Sequence, residues 1–224
     1  MLLLPINVDV PMYRRPISNI VIIVITAYYS LGGFVNPEFI RSAMLDGSSP
    51  GGLMSYMVVH GSLMHLLGNM IFLWVFGNAM CAKVGNLTYL VFYVAAGIAG
   101  GMAHLIFHGA PTIGASGAIN GIVGMYLIFY PLNNVTCFYL LPLPPFLGTF
   151  SLSSIWMILV WLVFDILGVT TGGGSVAYWA HLGGFAAGFG IGAFLLMTGA
   201  VRVSDTECSL ADLLRGERPR QLLS

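Results

Sequence analysis

Most of the chain consists of long apolar runs separated by shorter stretches that are polar or rich in glycine and proline. Six runs are long enough to form helices, at residues 17–35, 62–80, 87–107, 116–130, 152–168 and 176–197. Helices of this length match a hydrocarbon core about 30 Å thick, and the shorter ones need protein or polar cover at one end. The pattern therefore predicts an all-α polytopic membrane protein whose six transmembrane helices form one bundle.

The stretches between the runs set the rest of the organisation. Residues 36–59 mix charged residues with the breaker at 48–52, which predicts a long external or interfacial loop with short helices. The connector before the fifth run is rich in proline, with Pro131, Pro142, Pro144 and Pro145. We therefore predict an N-terminal segment at residues 1–16, a six-helix domain at 17–200 and a C-terminal tail at 201–224.

The tail has the spacing of a helix-capping box at Ser209 and Asp212. This spacing predicts a short amphipathic helix resting on the membrane interface, with Leu210, Leu213 and Leu214 on one face. A disordered tail is an equally good interpretation of the same residues.

Composition supports a membrane location and narrows the choice of partners. Hydrophobic residues make up 58% of the chain, charged residues only 7%, and the mean hydropathy is +0.90. A soluble domain could not bury that much apolar surface. Because the net charge is zero, nucleic acid is not an expected partner, whereas the lipid bilayer is.

The basic residues divide unevenly between the two ends of the predicted helices. Arg41 lies on one side, and the remainder lie on the side of the two termini: Arg14, Arg15, Lys83, Arg202, Arg215, Arg218 and Arg220. Because loops in the cytoplasm carry the excess of lysine and arginine, we expect both termini to be cytoplasmic. With that orientation, the outer half of the bundle holds most of the candidate chemistry: His60, His65, His104, His108, Ser116 and His181. A polar cavity open to the outside explains this asymmetry.

Ser116 and His181 each stand at the outer start of a predicted helix with a bare glycine surface. Small residues recur at Gly117, Gly121 and Gly124 in one helix and at Gly184, Gly188 and Gly192 in the other. Close packing of two such helices would bring the hydroxyl and the imidazole within hydrogen-bond reach, as a serine nucleophile and its base require. The alternative without catalysis is that Ser116 caps its helix and His181 is a packed polar residue.

No acidic residue lies in the outer halves of the second, fourth and sixth runs, so we expect a dyad of serine and histidine. Asp165, near the outer end of the fifth run, is expected at most to support the histidine from behind. Backbone N–H groups at the start of the fourth helix, together with His65 and Asn69 on one face of the second, could stabilise an oxyanion. A hydrogen bond between helices without catalysis is the alternative role for that pair.

Two histidines four residues apart, His104 and His108, could suggest a metal site with His60 or His65. No carboxylate accompanies them, so we expect no metal, and we place both histidines at the interface.

Three stretches together resemble the rhomboid family of intramembrane serine proteases: residues 60–70, residues 114–117 and residues 180–188. The resemblance implies a six-helix rhomboid-like bundle that cleaves single-pass transmembrane substrates without a cofactor. It implies Ser116 as nucleophile and His181 as general base. His65, Asn69 and the Ser116 amide would form the oxyanion hole, and the supporting positions would be Gly114, Gly117, His60 and Asn120.

Two positions depart from the family pattern. Gly51 and Gly52 stand where many members carry a Trp-Arg pair, and Asn120 stands where some carry an aromatic residue that stacks on the catalytic imidazole. We hypothesise that Asn120 holds that imidazole by a hydrogen bond instead. A catalytically silent relative that binds membrane helices is the main alternative function, and a small channel is a weaker one because the inner halves of the helices are nearly uniformly apolar. The short terminal segments favour a bacterial inner membrane, with an organelle membrane as the alternative.

Overall fold

The computed structural model describes residues 2–142, 145–172, 176–204 and 206–217. In chain order its elements are β1 (Leu2–Val8), α1 (Ile17–Val35), α2 (Pro37–Ala43), α3 (Gly52–Ser55), a 3₁₀ turn (Tyr56–Val58), α4 (Leu63–Phe72), a π turn (Leu73–Gly77), α5 (Asn78–Val84), α6 (Asn86–Phe107), α7 (Ser116–Phe129), β2 (Asn134–Pro142), β3 (Pro145–Ser153), α8 (Ser154–Thr171), α9 (Tyr178–Met197) and α10 (Leu210–Leu214). Most described residues are helical.

Within the described residues, five helical stretches are long and apolar enough to cross a membrane: α1, α6, α8, α9 and the continuous run Leu63–Val84 formed by α4, the π turn and α5. The remaining predicted run forms α7, which is shorter and lies at the centre of the bundle. Its residues are buried except for Ser116 and Asn120. The predicted polytopic helical bundle is therefore confirmed, with α7 as the helix that the others cover.

Glycines set the distance between α7 and α9. A Cβ atom at Gly184 would overlap the carbonyl oxygen of Gly117, and one at Gly188 would overlap that of Gly121. The contacts advance by four residues on both helices, so the two helices run in parallel and begin at the same end of the bundle. The predicted close packing is confirmed.

The π turn has an identifiable cause in α1. Buried Asn19 donates from Nδ2 to the carbonyl oxygen of Leu73 and to Oδ1 of Asn78, both at 2.8 Å, and accepts a hydrogen bond from the Tyr89 hydroxyl. The side chain therefore satisfies a backbone carbonyl that the widened turn frees. Gly77 leaves room for this amide, since a Cβ there would collide with it.

A three-stranded antiparallel sheet in the order β1-β2-β3 was not predicted. Leu4 pairs with Phe138, and Cys137 pairs with Phe150, so the N-terminal segment joins the proline-rich connector. Pro142 and Pro145 pair at the ends of their strands, where a missing N–H interrupts little of the ladder. Strand β1 also lies against α4 and the π turn, which ties the sheet to the bundle.

The tail contains the predicted short helix. In α10, Ser209 Oγ accepts from the backbone N–H of Asp212, and the Asp212 carboxylate accepts from the backbone N–H of Ser209, which completes the capping box. The preceding turn was not predicted: buried Glu207 pairs with Lys83 and accepts a hydrogen bond from the Tyr130 hydroxyl. The tail is thus anchored to the end of the bundle opposite the starts of α7 and α9.

Candidate active site

A cavity of about 740 Å³ opens where α7 and α9 begin. Its lining includes the polar residues that the sequence singled out: His65, Asn69, Ser116, Asn120 and His181. The apolar part of the lining includes Phe72, Ile113, Ile119 and Val176. Residues from three helices that are distant in sequence therefore share one polar cavity in a largely apolar bundle.

Ser116 occupies the first position of α7 and does not cap it. Ala115 is the N-cap residue, and no side chain caps this helix. The first N–H groups of α7 consequently have no partner within the helix, and they sit at the positive end of its dipole. Within the described residues, no hydrogen bond joins Ser116 Oγ to His181. The capping explanation for this serine is not supported by the structure.

His181, in the first turn of α9, is held by a carboxylate. Its Nδ1 lies 2.8 Å from Oδ1 of Asp165 on α8, and both side chains are largely buried, at 15% and 14% exposure. The second, fourth and sixth runs alone predicted a dyad, with Asp165 at most a support behind the histidine. The structure corrects the premise of that prediction, because α8 packs against α9 and brings a carboxylate from the fifth run into contact with His181.

Asn120 does not hold the imidazole. Its Nδ2 donates to the carbonyl oxygen of Ser116 at 3.0 Å, one turn earlier on the same helix. The imidazole is instead held at Nδ1 by Asp165. The hypothesis of an Asn120–His181 hydrogen bond is therefore incorrect for this structure, although Asn120 does line the cavity.

His65 and Asn69 face the cavity from α4. Nδ2 of Asn69 donates to the carbonyl oxygen of His65 at 2.9 Å, which leaves its second N–H for another acceptor. The His65 ring packs on Gly114, where a Cβ would lie 2.8 Å from Nε2. Gly114 also has a φ of +121°, a conformation that L side chains rarely adopt. Both constraints require glycine immediately before the Ala115-Ser116 pair.

His60 is fully buried behind the cavity and fixes the chain that leads into α7. The backbone N–H of Ala115 points to its Nε2 at 3.4 Å, so Nδ1 carries the proton and donates to Ser30 Oγ at 3.0 Å. Burial, with a smaller contribution from nearby His65, lowers the pKa of His60 to about 3. The imidazole is therefore neutral and acts as a structural bridge between α1 and the start of α7.

The loop that carries Gly51 and Gly52 is tied down without a Trp-Arg pair. The Tyr56 hydroxyl donates to the carbonyl oxygen of Gly97 at 2.6 Å. The backbone N–H of Gly114 donates to the carbonyl oxygen of Tyr56 at 2.8 Å. Leu45 and Thr112 exchange a pair of backbone hydrogen bonds. These contacts join the first loop to the segment before Ser116.

The pair His104 and His108 divides between two environments. His104 is buried and donates from Nε2 to the carbonyl oxygen of Ala110 at 2.7 Å, so it closes the turn after α6. His108 is exposed. His104 therefore packs inside the protein whereas His108 faces outward, and the interfacial position of both stays a prediction.

Comparisons with known proteins match the chain to a family. The Rhomboid domain model matches residues 49–198. The chain is 32% identical over 139 residues to Rhomboid protease GluP of Bacillus subtilis, which covers 61% of the chain and 24% of that protein. It is 28% identical over 134 residues to Rhomboid protease GlpG of Klebsiella pneumoniae, covering 60% of the chain and 44% of that protein.

A mitochondrial protein is also similar. RHOMBOID-like protein 12 of Arabidopsis thaliana is 28% identical over 147 residues, which is 57% of the chain and 41% of that protein. The chain thus matches less than half the length of each of these relatives. The matched domain nevertheless contains all three sequence motifs and every polar side chain of the cavity. Since the family model spans more than half of the chain and every helix of the cavity, the chain belongs to the rhomboid family.

Proposed function

We propose that this chain is an intramembrane serine endopeptidase that cleaves single-pass transmembrane proteins, with Ser116 as nucleophile and His181 as general base. The observation that carries the proposal is the shared cavity, into which α7 and α9 bring a hydroxyl and an imidazole from helix starts that lie side by side. The names of the bacterial relatives support the same reaction class.

The chemistry follows from the groups in the cavity. Ser116 Oγ attacks the carbonyl carbon of the scissile peptide, its proton passes to Nε2 of His181, and the carbonyl π electrons move to the oxygen. The resulting oxyanion is stabilised by the Ser116 backbone N–H, the free N–H of Asn69 and His65. The imidazolium then gives its proton to the departing amine nitrogen as the C–N bond breaks, and water releases the acyl group by the reverse steps.

The substrate is expected to enter as an apolar helix, because the cavity lies in a bundle that presents apolar surface on all sides. From its similarity to the family, we expect a small residue before the scissile bond and a helix-weakening residue after it. The apolar helices and the family also indicate the location: the protein is an integral multi-pass membrane protein. A bacterial inner membrane is our proposal for which membrane it occupies.

Labelling with a fluorophosphonate probe tests the nucleophile and its base directly. The reaction forms a bond from Ser116 Oγ to phosphorus and expels fluoride, so it requires an activated serine but no substrate. We expect the detergent-purified wild type and the control Ser42→Ala, which alters an exposed serine on α2, to be labelled. Ser116→Ala and His181→Ala should lose labelling by at least ~10³-fold. An unlabelled wild type that also fails to cleave a generic single-pass substrate would contradict the protease and favour a silent helix-binding relative.

A further inference from the structure

Asp165 is the one acidic residue in the apolar helices α1 and α4 to α9, all of which lie within the described residues. A carboxylate in such a helix is unfavourable unless it has a partner, and ionisable groups at this depth are functional candidates. Its partner is Nδ1 of His181 at 2.8 Å. The carboxylate therefore meets the proposed general base on the nitrogen that does not face a substrate.

The contact selects one tautomer of the imidazole. An ionised carboxylate only accepts hydrogen bonds, so Nδ1 must carry a proton and Nε2 must carry the lone pair. A general base needs that lone pair to receive the serine proton. Without a fixed acceptor at Nδ1, the ring is free to rotate or to carry its proton on Nε2. A protonated Nε2 cannot accept the proton of Ser116.

No other described side chain supplies this acceptor. Asn120, one turn along α7 from the serine, makes its side-chain hydrogen bond to the carbonyl oxygen of Ser116 and none to His181. The ring of Tyr178 meets that of His181 edge-on, with centroids 6.2 Å apart, which restrains the imidazole on one side without a hydrogen bond to Nδ1. Orientation of the ring thus depends on Asp165.

We propose that Asp165 is a positioning residue that completes a Ser116–His181–Asp165 triad in this chain. The proposal rests on the proposed function. As Ser116 attacks, its proton moves to Nε2, and the imidazolium that forms is stabilised by the Asp165 carboxylate. When the leaving amine takes the proton from Nε2, the neutral tautomer with Nδ1–H is restored.

The test combines steady-state cleavage with ¹⁵N NMR of the histidine side chains in detergent micelles. Asp165→Asn keeps the shape and removes the charge, and Glu38→Gln removes an exposed carboxylate on α2 as the matched control. We expect Asp165→Asn to lower kcat by about 10²–10⁴-fold with KM changed by less than about 3-fold, and Asp165→Glu to recover part of the loss. Thermal unfolding of Asp165→Asn should match that of Glu38→Gln.

The NMR measurement provides a readout that a merely structural carboxylate would not move. In the wild type, the His181 signal, assigned by its loss in His181→Gln, should show a protonated Nδ1 and a bare Nε2; in Asp165→Asn it should become a mixture of tautomers. Wild-type kcat in Asp165→Asn, or a wild-type His181 protonated on Nε2, overturns the proposal. The wild-type spectrum decides the matter even if the variant does not fold. If the wild type is inactive and unlabelled, the protease proposal fails, whereas the spectrum still shows whether Asp165 orients the ring.

Discussion

At the scale of single residues, the buried imidazole of His60 supports the site without lining its cavity. It accepts a hydrogen bond from the backbone of Ala115 and donates to Ser30, so it joins α1 to the residue before the proposed nucleophile. The contact with Ala115 does not survive protonation of Nε2, because an imidazolium donates from both nitrogens and accepts from neither. The start of α7 therefore depends on a neutral histidine.

This dependence gives stability a pH response. The folded-state pKa of His60 is lowered to about 3 by burial and then by His65, whereas an unfolded histidine titrates near 6.5. Below about pH 6.5 the unfolded chain binds a proton that the folded chain refuses, so the free energy of unfolding falls as pH drops toward 3, by at most ~1.4 kcal/mol per pH unit. Thermal unfolding in detergent at several pH values should show a shallower loss in His60→Gln than in the wild type.

Exposed His108 provides the control for that series. His108→Gln should keep the pH dependence of the wild type, because this exposed side chain does not join α1 to the start of α7. Equal slopes for His60→Gln and the wild type would show that His60 does not contribute to the pH response.

At the scale of elements, the α7–α9 pair determines whether the serine and the histidine meet. The two helices approach so closely that backbone carbonyl oxygens of α7 occupy the space of missing side chains on α9. Backbone cannot move aside as a flexible side chain can, so added volume at this seam has to separate the helices.

Gly188→Ala is therefore expected to destabilise the protein by about 1–3 kcal/mol and to weaken fluorophosphonate labelling, since it pushes α9 away from Gly121. Gly190→Ala on the same helix is the matched control, because a Cβ there meets nothing within 4 Å. It should be neutral or slightly stabilising, as alanine favours the helix. Denaturant unfolding in micelles measures both variants, and equal stability of the two would contradict the tight seam.

The same elements show what the sequence could and could not predict. The positions of the helices could be predicted from the lengths of the apolar runs. The close approach of α7 and α9 could be predicted from glycines spaced three or four residues apart, because both are local patterns. The Asp165–His181 contact could not be predicted from the sequence, because it depends on how α8 packs against α9. The sheet was not predicted for a similar reason: β1 is a short apolar stretch whose partner lies beyond seven helices, α1 to α7, and the prolines near Pro142 are more typical of a loop than of a hairpin.

At the scale of the whole molecule, the tail is fastened to the bundle by a buried ion pair. Side chains of Lys83 and Glu207 are only 8% and 3% exposed, and Lys83 Nζ lies 5.4 Å from the centroid of the Tyr130 ring. Glu207 also accepts from the backbone N–H of Ser204, which fixes the turn before α10. The pair links the end of α5 to the chain after α9.

Removal of one partner should be more harmful than removal of both. Glu207→Gln leaves an unpaired buried ammonium and is expected to destabilise the protein by about 3–5 kcal/mol, whereas Lys83→Met with Glu207→Leu should recover much of that loss. Glu217→Gln, at an exposed position, should have no effect. Unfolding in micelles measures all three, and a Glu207→Gln variant as stable as Glu217→Gln would show that the pair does not anchor the tail.

The pairing of β1 with β2 imposes an order on biosynthesis. Strand β1 leaves the ribosome before the helices that follow it, yet its partner begins only at Asn134. At about 5–20 residues per second, the intervening stretch of roughly 125 residues takes about 6–25 s to make. Throughout that interval α1 to α7 are being inserted while an apolar strand has an unsatisfied edge, open to pairing with other chains. Strand β1 is thus made before its partner strand β2 and can be paired only after α7 has been synthesised.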